Sequence, residues 1–474
     1  MKRETHPFQR ANEGRFPSGT FVAAEDFAPF LRDWTGRELG QPVAVARPVS
    51  TAEVAELVRI AGETSLPVVA AGGRTGLNRG TDGAGALVIS LDRMTDTRDV
   101  AEDSTSATVS AGVTVAALRK LAINIGARFP LSFGAEGSSQ IGGALSTNAG
   151  GSSALRFGSA RQLCLGIEVV LPDGRILSAL SPLQKDNTGL DLKHLFIGAE
   201  GTLGIITAAT MRLVPAEDER ACSVVSVPDI GRATHLLRRL KSGCSVGLDA
   251  VEFMSQSFVR RAAALTRAPL KDHADVVLVE LSLPTGSMGR ASDILERLLG
   301  AAMEAGEITD AVIARSEADR ADFWALRERA AEVAVATQPA LMIDVSLPTA
   351  GLEKFSMQAG ALIRRLDERA EWMTTGHLGD GNLHLTVWPG DKSPEHNAAF
   401  KSEIEALAVS LGGSFSAEHG IGFDKLDAMR RFKDDVELDV MRRIKLALDP
   451  ENMMNPGRVY PDLTLTEETL KGKT

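Results

Sequence analysis

The segment GHLGDGNLHLTVW (376–388) sets His377 and His384 on either side of an LGDGN turn. Its second arm, LHLTV, alternates like a strand, so the two arms can fold back and bring the imidazoles together. Further along, SAEHGIG supplies Glu418 and His419 side by side. Two histidines and one carboxylate make a site for Zn2+, Mn2+ or a similar ion, with positions left open for a substrate. Plainer readings stand beside this one. A His-x6-His pair arises by chance, His384 also reads as a satisfied core histidine, and Glu418 as a solvated charge. No HExxH helix is present to decide between them. An anionic substrate needs a cation, and FWALRERAAE offers Arg327 and Arg329. Two apart on a helix, they do not share a face, and both also read as ordinary solvated arginines. Asn382 in the GDGN turn either touches substrate or only serves the turn. Lys425, six residues past His419, either steers anions or has no part in the chemistry.

Glycine supplies the second kind of chemical signal: 45 of 474 residues, more than the usual share of about 7%. AAGGRTGLNRGTDGAG (70–85) carries six glycines directly after an apolar run. Such a loop turns tightly and presents backbone N–H groups to an anion, and pyrophosphate is the natural guest. It is neither a P-loop, having no G-K-[ST], nor a GxGxxG opening a helix. FGAEGSSQIGGALSTNAGGSSALRFGSAR (133–161) holds seven more, interleaved with Ser, Thr and Asn that suit a polar cofactor. Two such regions in one half of the chain point to a large, phosphate-bearing ligand.

The elements that must position these groups follow from periodicity. PVAVARPV (42–49) reads as a buried strand, Ser50, Thr51 and Glu53 as a helix start, and AEVAELVRIAGE as the helix. PVVAAGG and ALVISL supply two further strands, and this β-α-β-loop-β order predicts a parallel unit. Residues 107–126 repeat strand then helix, 164–177 form a hairpin around Pro172, Asp173 and Gly174, and 201–215 form a strand. From about 220 glycine thins out, and strand runs alternate with charged amphipathic helices, which predicts an antiparallel sheet covered by helices. After Gly412 glycine returns, followed by a helix, the turn ENMMNPG and a polar tail expected to fray from about 462. Net charge is −10, which argues against a nucleic-acid partner. The three isolated cysteines make no disulfide framework or zinc knuckle. With no signal peptide and no run of about 18 apolar residues, the expectation is a cytoplasmic protein without a membrane span.

The segments GGRTGLNRG, GAEGSSQIGGALSTNAGG, FGSARQL, VVLPDG, DNTGLDLKHLFIGAEGTLGIIT and NPGR, in this order, resemble the FAD-linked oxidase family with the fold of vanillyl-alcohol oxidase, and within it the D-2-hydroxyacid dehydrogenases acting on D-lactate, glycolate or D-2-hydroxyglutarate. The likeness spans about residues 40–460. It implies an α+β protein: a two-lobed FAD-binding domain (1–217, lobes 1–95 and 96–217), an α+β cap of antiparallel sheet and helices (218–412), and a C-terminal helical segment (413–474) returning to the FAD site. It implies flavin contacts from Gly72, Gly73, Arg74, Thr75, Gly76, Leu77 and Asn78 on the pyrophosphate. Further contacts are implied from Pro130, Gly134, Gly137, Ser138, Gly142, Thr147, Asn148, Gly151, Gly158, Glu200, Gly201, Ile206 and Asn455. Thr75 stands where some relatives carry a flavin-bonded histidine, so the FAD is expected to be non-covalent.

The resemblance also makes His377, His384 and Glu418 ligands of a divalent ion, usually zinc, His419 the base and Arg327 the carboxylate-binding arginine. Electrons then pass to an electron-transfer flavoprotein or a quinone, and a homodimer is left open. Two positions depart from the pattern. The D-2-hydroxyglutarate enzymes carry a threonine four residues past that arginine and a lysine just ahead of the strand ending in SLP. This chain has Ala331 and Met342 there. Both remove polar contacts to a second carboxylate, so a more apolar acid is expected. The competing readings are a metallohydrolase on His377, His384 and Glu418, a non-catalytic flavin- or nucleotide-binding module, and a family oxidase that uses oxygen directly.

Overall fold

The computed structural model describes residues 6–463, apart from 218, 245–246, 264–273, 284–286 and 288. The tail expected to fray lies almost wholly outside these residues. In the first lobe, strand β1 (Ala44–Ala46) leads into helix α1 (Thr51–Glu63), then β2 (Val68–Ala71) and β3 (Leu87–Ser90). Ser50 Oγ accepts the N–H of Glu53, and the Glu53 carboxylate reaches back to Val49 N, which opens α1 where the sequence predicts. Val54, Leu57, Val58 and Ala61 follow at helical spacing and are buried. β3 lies between β1 and β2 and runs parallel to both. Covered on both sides, these strands are continuous apolar runs.

The second lobe contains β4 (Thr97–Val100), β5 (Ser106–Ser110), α2 (Val115–Asn124), β6 (Cys164–Val170), β7 (Ile176–Ala179) and β8 (Ile205–Arg212). Its sheet has the order β4-β5-β8-β6-β7, and every pairing is antiparallel. The strand–helix repeat of 107–126 is present, but its strand belongs to this antiparallel sheet, not to a parallel unit. β6 and β7 form the hairpin expected around Gly174.

The cap sheet is formed by β9 (Glu219–Val227), β10 (Leu248–Met254), β11 (Asp275–Leu283), β12 (Asp310–Ile313), β13 (Leu341–Ser346), β14 (Glu371–His377) and β15 (Asn382–Trp388), in the order β12-β9-β11-β10-β14-β15-β13, antiparallel throughout. Strand alternation divides its residues between two faces. Val251, Phe253, Val277, Val279, Ile343, Val345, Leu383 and Leu385 point into an apolar core under four helices, Ile230–Gly243, Ala291–Glu304, Leu352–Leu366 and Pro394–Ser410. The opposite face carries Glu252, Glu280, Asp344, His377 and His384. It is partly roofed by α3 (Glu317–Glu328) and α4 (Ala330–Val335), whose Phe323, Leu326, Val333 and Ala334 pack on Met373 and Trp388.

A charged junction ties the second lobe to the cap. Arg128 and Arg156 both pair with Glu217 and Asp249, and Ser282 donates to the same two carboxylates at 2.6 Å. After the cap, α5 (Leu426–Phe432) and α6 (Asp435–Leu448) bring the chain back to the first lobe, where Met454 bridges Val68. Among the described residues no helix is long and apolar enough to cross a membrane.

Candidate active site

A cavity of about 1070 Å3 lies between the lobes and the polar face of the cap sheet. This exceeds the roughly 300–1,000 Å3 of a typical small-ligand pocket, as a dinucleotide with a second reactant beside it would require. Gly72, Gly73, Arg74, Thr75, Gly76, Leu77, Asn78, Gly134, Ser138, Gly142, Thr147, Glu200, Gly201 and Ile206 line it. The two glycine regions touch through their backbones: a Cβ on Gly73 would fall 1.9 Å from the carbonyl oxygen of Ser138. Six of the flavin residues inferred from sequence stand outside the cavity wall: Pro130, Gly137, Asn148, Gly151, Gly158 and Asn455. Two of them brace the loops. Asn148 accepts from Ser159 Oγ at 2.7 Å and from Arg161 N at 3.1 Å, and Asn455 donates to Gly80 O at 3.1 Å and Glu200 O at 2.7 Å.

His377, His384, Glu418, His419 and Arg327 line the same cavity. β14 and β15 meet at the LGDGN turn with His384 opposite Thr375 and His377 opposite Asn382. Both histidines therefore lie on one face, ring centroids 5.6 Å apart. Nε2 of His377 is 3.6 Å from Glu418 Oε2, and Nε2 of His384 is 3.3 Å from Glu418 Oε1. Two metal–ligand bonds of about 2.0–2.1 Å at a tetrahedral angle would put their ligand atoms about 3.3 Å apart. The three groups are thus spaced as donors around a cation. Nδ1 of His377 is 2.8 Å from Glu252 Oε1, which fixes the ring and leaves Nε2 for a ligand role.

A second set, Asp344, His384 and His419, also brings ligand atoms together. There the carboxylate is already committed. Asp344 Oδ2 accepts the N–H groups of Ala417, Glu418 and His419 at 3.0, 3.0 and 3.1 Å, and Oδ1 accepts from Asn382 Nδ2 at 2.8 Å. Asp344 therefore shapes the 417–419 loop, while the His377–His384–Glu418 set fits a divalent ion. The electrostatics agree. Burial opposes the charge on Glu418, but His377 and His384 hold its carboxyl well below the usual range. Burial likewise opposes a charged His377, yet Glu252 and Glu418 raise its pKa well above the usual histidine value. Surroundings that favour a proton on that imidazole also favour a cation between the ligands.

His419 stacks on His384 with centroids 5.3 Å apart and an interplanar angle of 12°. Its Nδ1 is 3.7 Å from Asp344 Oδ2. Burial lowers its pKa, and Asp344 only partly offsets this, which favours a neutral ring with a lone pair to accept a proton. Arg327 reaches the cavity from α3 and donates through Nε to Glu252 Oε2 at 2.8 Å, so Glu252 joins Arg327 to His377. Arg329 points elsewhere and pairs with Glu332.

Two of the residues picked from sequence for substrate binding lie behind the site. Asn382 is buried and donates to Asp344 and Val345 O. Lys425 is buried, donates to Phe415 O at 3.0 Å and lies 3.7 Å from Asp344 Oδ2. Neither lines the cavity; both support Asp344. The sequence reading missed Glu252 and Asp344 themselves. Their signal was an acid set among apolar neighbours within a strand, AVEFM and LMIDV, where a buried acid must have a partner.

Residues 216–459 match the family described as FAD linked oxidases, C-terminal domain, and residues 42–179 match an FAD binding domain. A D-2-hydroxyglutarate dehydrogenase of Xanthomonas citri pv. viticola is 34% identical over 443 residues, spanning 92% of this chain and 93% of the relative. The mitochondrial D-2-hydroxyglutarate dehydrogenase of Bos taurus is 34% identical over 450 residues, 94% of this chain and 82% of the relative. Among solved structures, p-cresol methylhydroxylase with substrate bound matches with a TM-score of 0.76 at 16% identity over 94% of each chain, a likeness of fold alone. The resemblance carried by the glycine motifs is borne out, as is the α+β flavoprotein fold of vanillyl-alcohol oxidase type with its cap and C-terminal helices. The chain belongs to the FAD-linked oxidases and is an FAD-dependent oxidoreductase.

Proposed function

We propose that the protein oxidises a D-2-hydroxy acid to the 2-oxo acid, with a divalent ion on His377, His384 and Glu418 and with His419 as base. One observation carries this: a single cavity whose walls hold both glycine regions and the histidine–glutamate cluster. Oxidation of an alcohol removes a hydrogen with its electron pair from carbon and a proton from oxygen. Bound FAD supplies the two-electron acceptor. A divalent ion, zinc as the family resemblance implies, would supply positive charge that acidifies the substrate hydroxyl and orients its carboxylate. His419 takes the hydroxyl proton at Nε2, the ring nitrogen away from Asp344. Arg327, anchored on Glu252, pairs with the carboxylate. For the electron acceptor we infer an electron-transfer flavoprotein or a quinone, as the family resemblance suggests. We place the domain limits near 217 and 412 and the protein in the cytoplasm on the same sequence grounds.

The substrate side chain meets a different wall. Met342, Thr386 and Met373 form one row across β13, β15 and β14, two residues along from the Asp344–His384–Thr375 row. Two residues of strand span about 7 Å. Ala331, Ala334 and Val335 of α4 line the same cavity. None of these six side chains carries a charge, and Glu332, which also lines the cavity from α4, is paired with Arg329. We therefore infer an apolar side chain on the substrate, unlike the dicarboxylate in the relatives' names.

An anaerobic titration of the flavin with D- and L-2-hydroxy acids tests both parts. The visible band is expected to bleach with D acids only, and kcat/KM to be highest for those with alkyl side chains. Bleaching by no 2-hydroxy acid would overturn the function. A best kcat/KM on D-2-hydroxyglutarate would overturn the side-chain assignment alone. Peroxide formed at the rate of dye reduction would instead make the protein an oxidase. With Thr75 in the flavin loop, denaturation is expected to release all of the chromophore into the supernatant; flavin retained in the pellet would show a covalent bond.

A further inference from the structure

Asn78 sits in the flavin loop, yet its side chain faces the loop that carries the base. Its Nδ2 donates to His419 O at 2.9 Å and to Gly420 O at 2.7 Å, and its main-chain carbonyl accepts from Phe423 N at 2.9 Å. A carboxamide has two N–H donors, and here both are spent on protein carbonyls, so none is left for a phosphate oxygen. Glu200 grips the same loop as well. Its carboxylate accepts from Ile421 N at 2.7 Å and Gly422 N at 2.9 Å. The fit leaves no slack: at Gly422, whose φ is +52°, a Cβ would fall 2.0 Å from Asn78 O. Five consecutive residues, 419–423, are thus held between Asn78 and Glu200. Both clamping residues lie in the wall of the cavity assigned to the flavin.

We infer that Asn78 is a positioning residue that couples the flavin loop to the loop bearing Glu418 and His419, so that an occupied flavin site strengthens binding of the divalent ion. This rests on the function proposed above. Flavin on residues 72–78 fixes Asn78; Asn78 fixes the carbonyls of 419 and 420; and these set where His419 and its neighbour Glu418 stand against His377 and His384. Coupling is reciprocal, so the ion in turn tightens flavin binding by the same factor.

The test is Asn78→Ala, with Asn78→Asp as a variant of the same size that lacks the donors. In the holoenzyme, the visible spectrum of bound flavin stays as in the wild type, and flavin affinity falls by no more than the factor by which ion affinity falls. Mn2+ affinity of the EDTA-treated holoenzyme, read by electron paramagnetic resonance, falls about tenfold, the scale of two lost hydrogen bonds. The turnover number falls with little change in KM, and amide exchange at 419–423 speeds up. Loss of flavin with unchanged exchange at 419–423 would make Asn78 a flavin ligand and overturn the inference, as would unchanged Mn2+ affinity. Should the variants not fold, the wild type still decides: exchange at 419–423 slows when FAD is added to flavin-stripped protein, and equal exchange in both states overturns the coupling. A wild type that takes up neither FAD nor Mn2+ would strike at the proposed function itself, a separate result.

Discussion

His419→Gln keeps its flavin and loses turnover by about 10²–10⁴-fold, the range that general-base catalysis contributes. The expectation follows from where the ring stands. It lies flat against His384, its Nδ1 on the Asp344 side, and its backbone N–H is one of three bonded to Asp344. Glutamine approximates the size of the ring and can still hydrogen-bond, but it cannot take a proton near neutral pH. The main-chain contacts that shape the loop remain, so the flavin site is left whole. Stopped-flow reduction of the bound flavin separates the effects: the reduction step slows while substrate binding changes little. Turnover close to that of the wild type would remove His419 as base.

Removal of the divalent ion is expected to be as severe. Dialysis against EDTA abolishes turnover, leaves the flavin spectrum in place, and is reversed by added Zn2+ or Mn2+. His384→Ala reproduces the loss, and added metal does not repair it. Like His377, this residue serves two partners: Nε2 faces Glu418 at 3.3 Å and Nδ1 faces Asp344 at 3.5 Å. Removing it would delete a proposed ligand and leave Asp344 short of a neighbour that helps hold its charge. The loss should exceed the about 10- to 100-fold typical when only an outer partner of a ligand is removed. Indifference to EDTA, with His384→Ala active, would sink the metal site.

Much of this was legible in the sequence for definite physical reasons. The hairpin of His377 and His384 was, because a glycine-rich turn between alternating arms has few ways to fold. The two glycine regions were, because close backbone approach excludes side chains. The split between Arg327 and Arg329 was, because helical spacing separates their faces. The antiparallel pairing of the strand in 107–126 was not, since a strand followed by a helix reads alike whichever neighbour the strand finds later. Lys425 and Asn382 stayed open between two roles for a related reason. Polarity near a catalytic motif marks a residue as needing a partner, but the partner was Asp344, hidden in an apolar strand. Glu252 escaped notice in the same way, although it joins Arg327 to His377.

The bond from Asn78 to His419 spans 341 positions, and those from Arg458 to residues 79 and 82 span 379 and 376. During synthesis the amino-terminal domains emerge and fold first. A nascent chain that has reached residue 412 already has both glycine loops and both hairpin histidines, but neither Glu418 nor His419. On the function proposed above, the base and one ligand of the ion therefore emerge only after both glycine loops and both hairpin histidines.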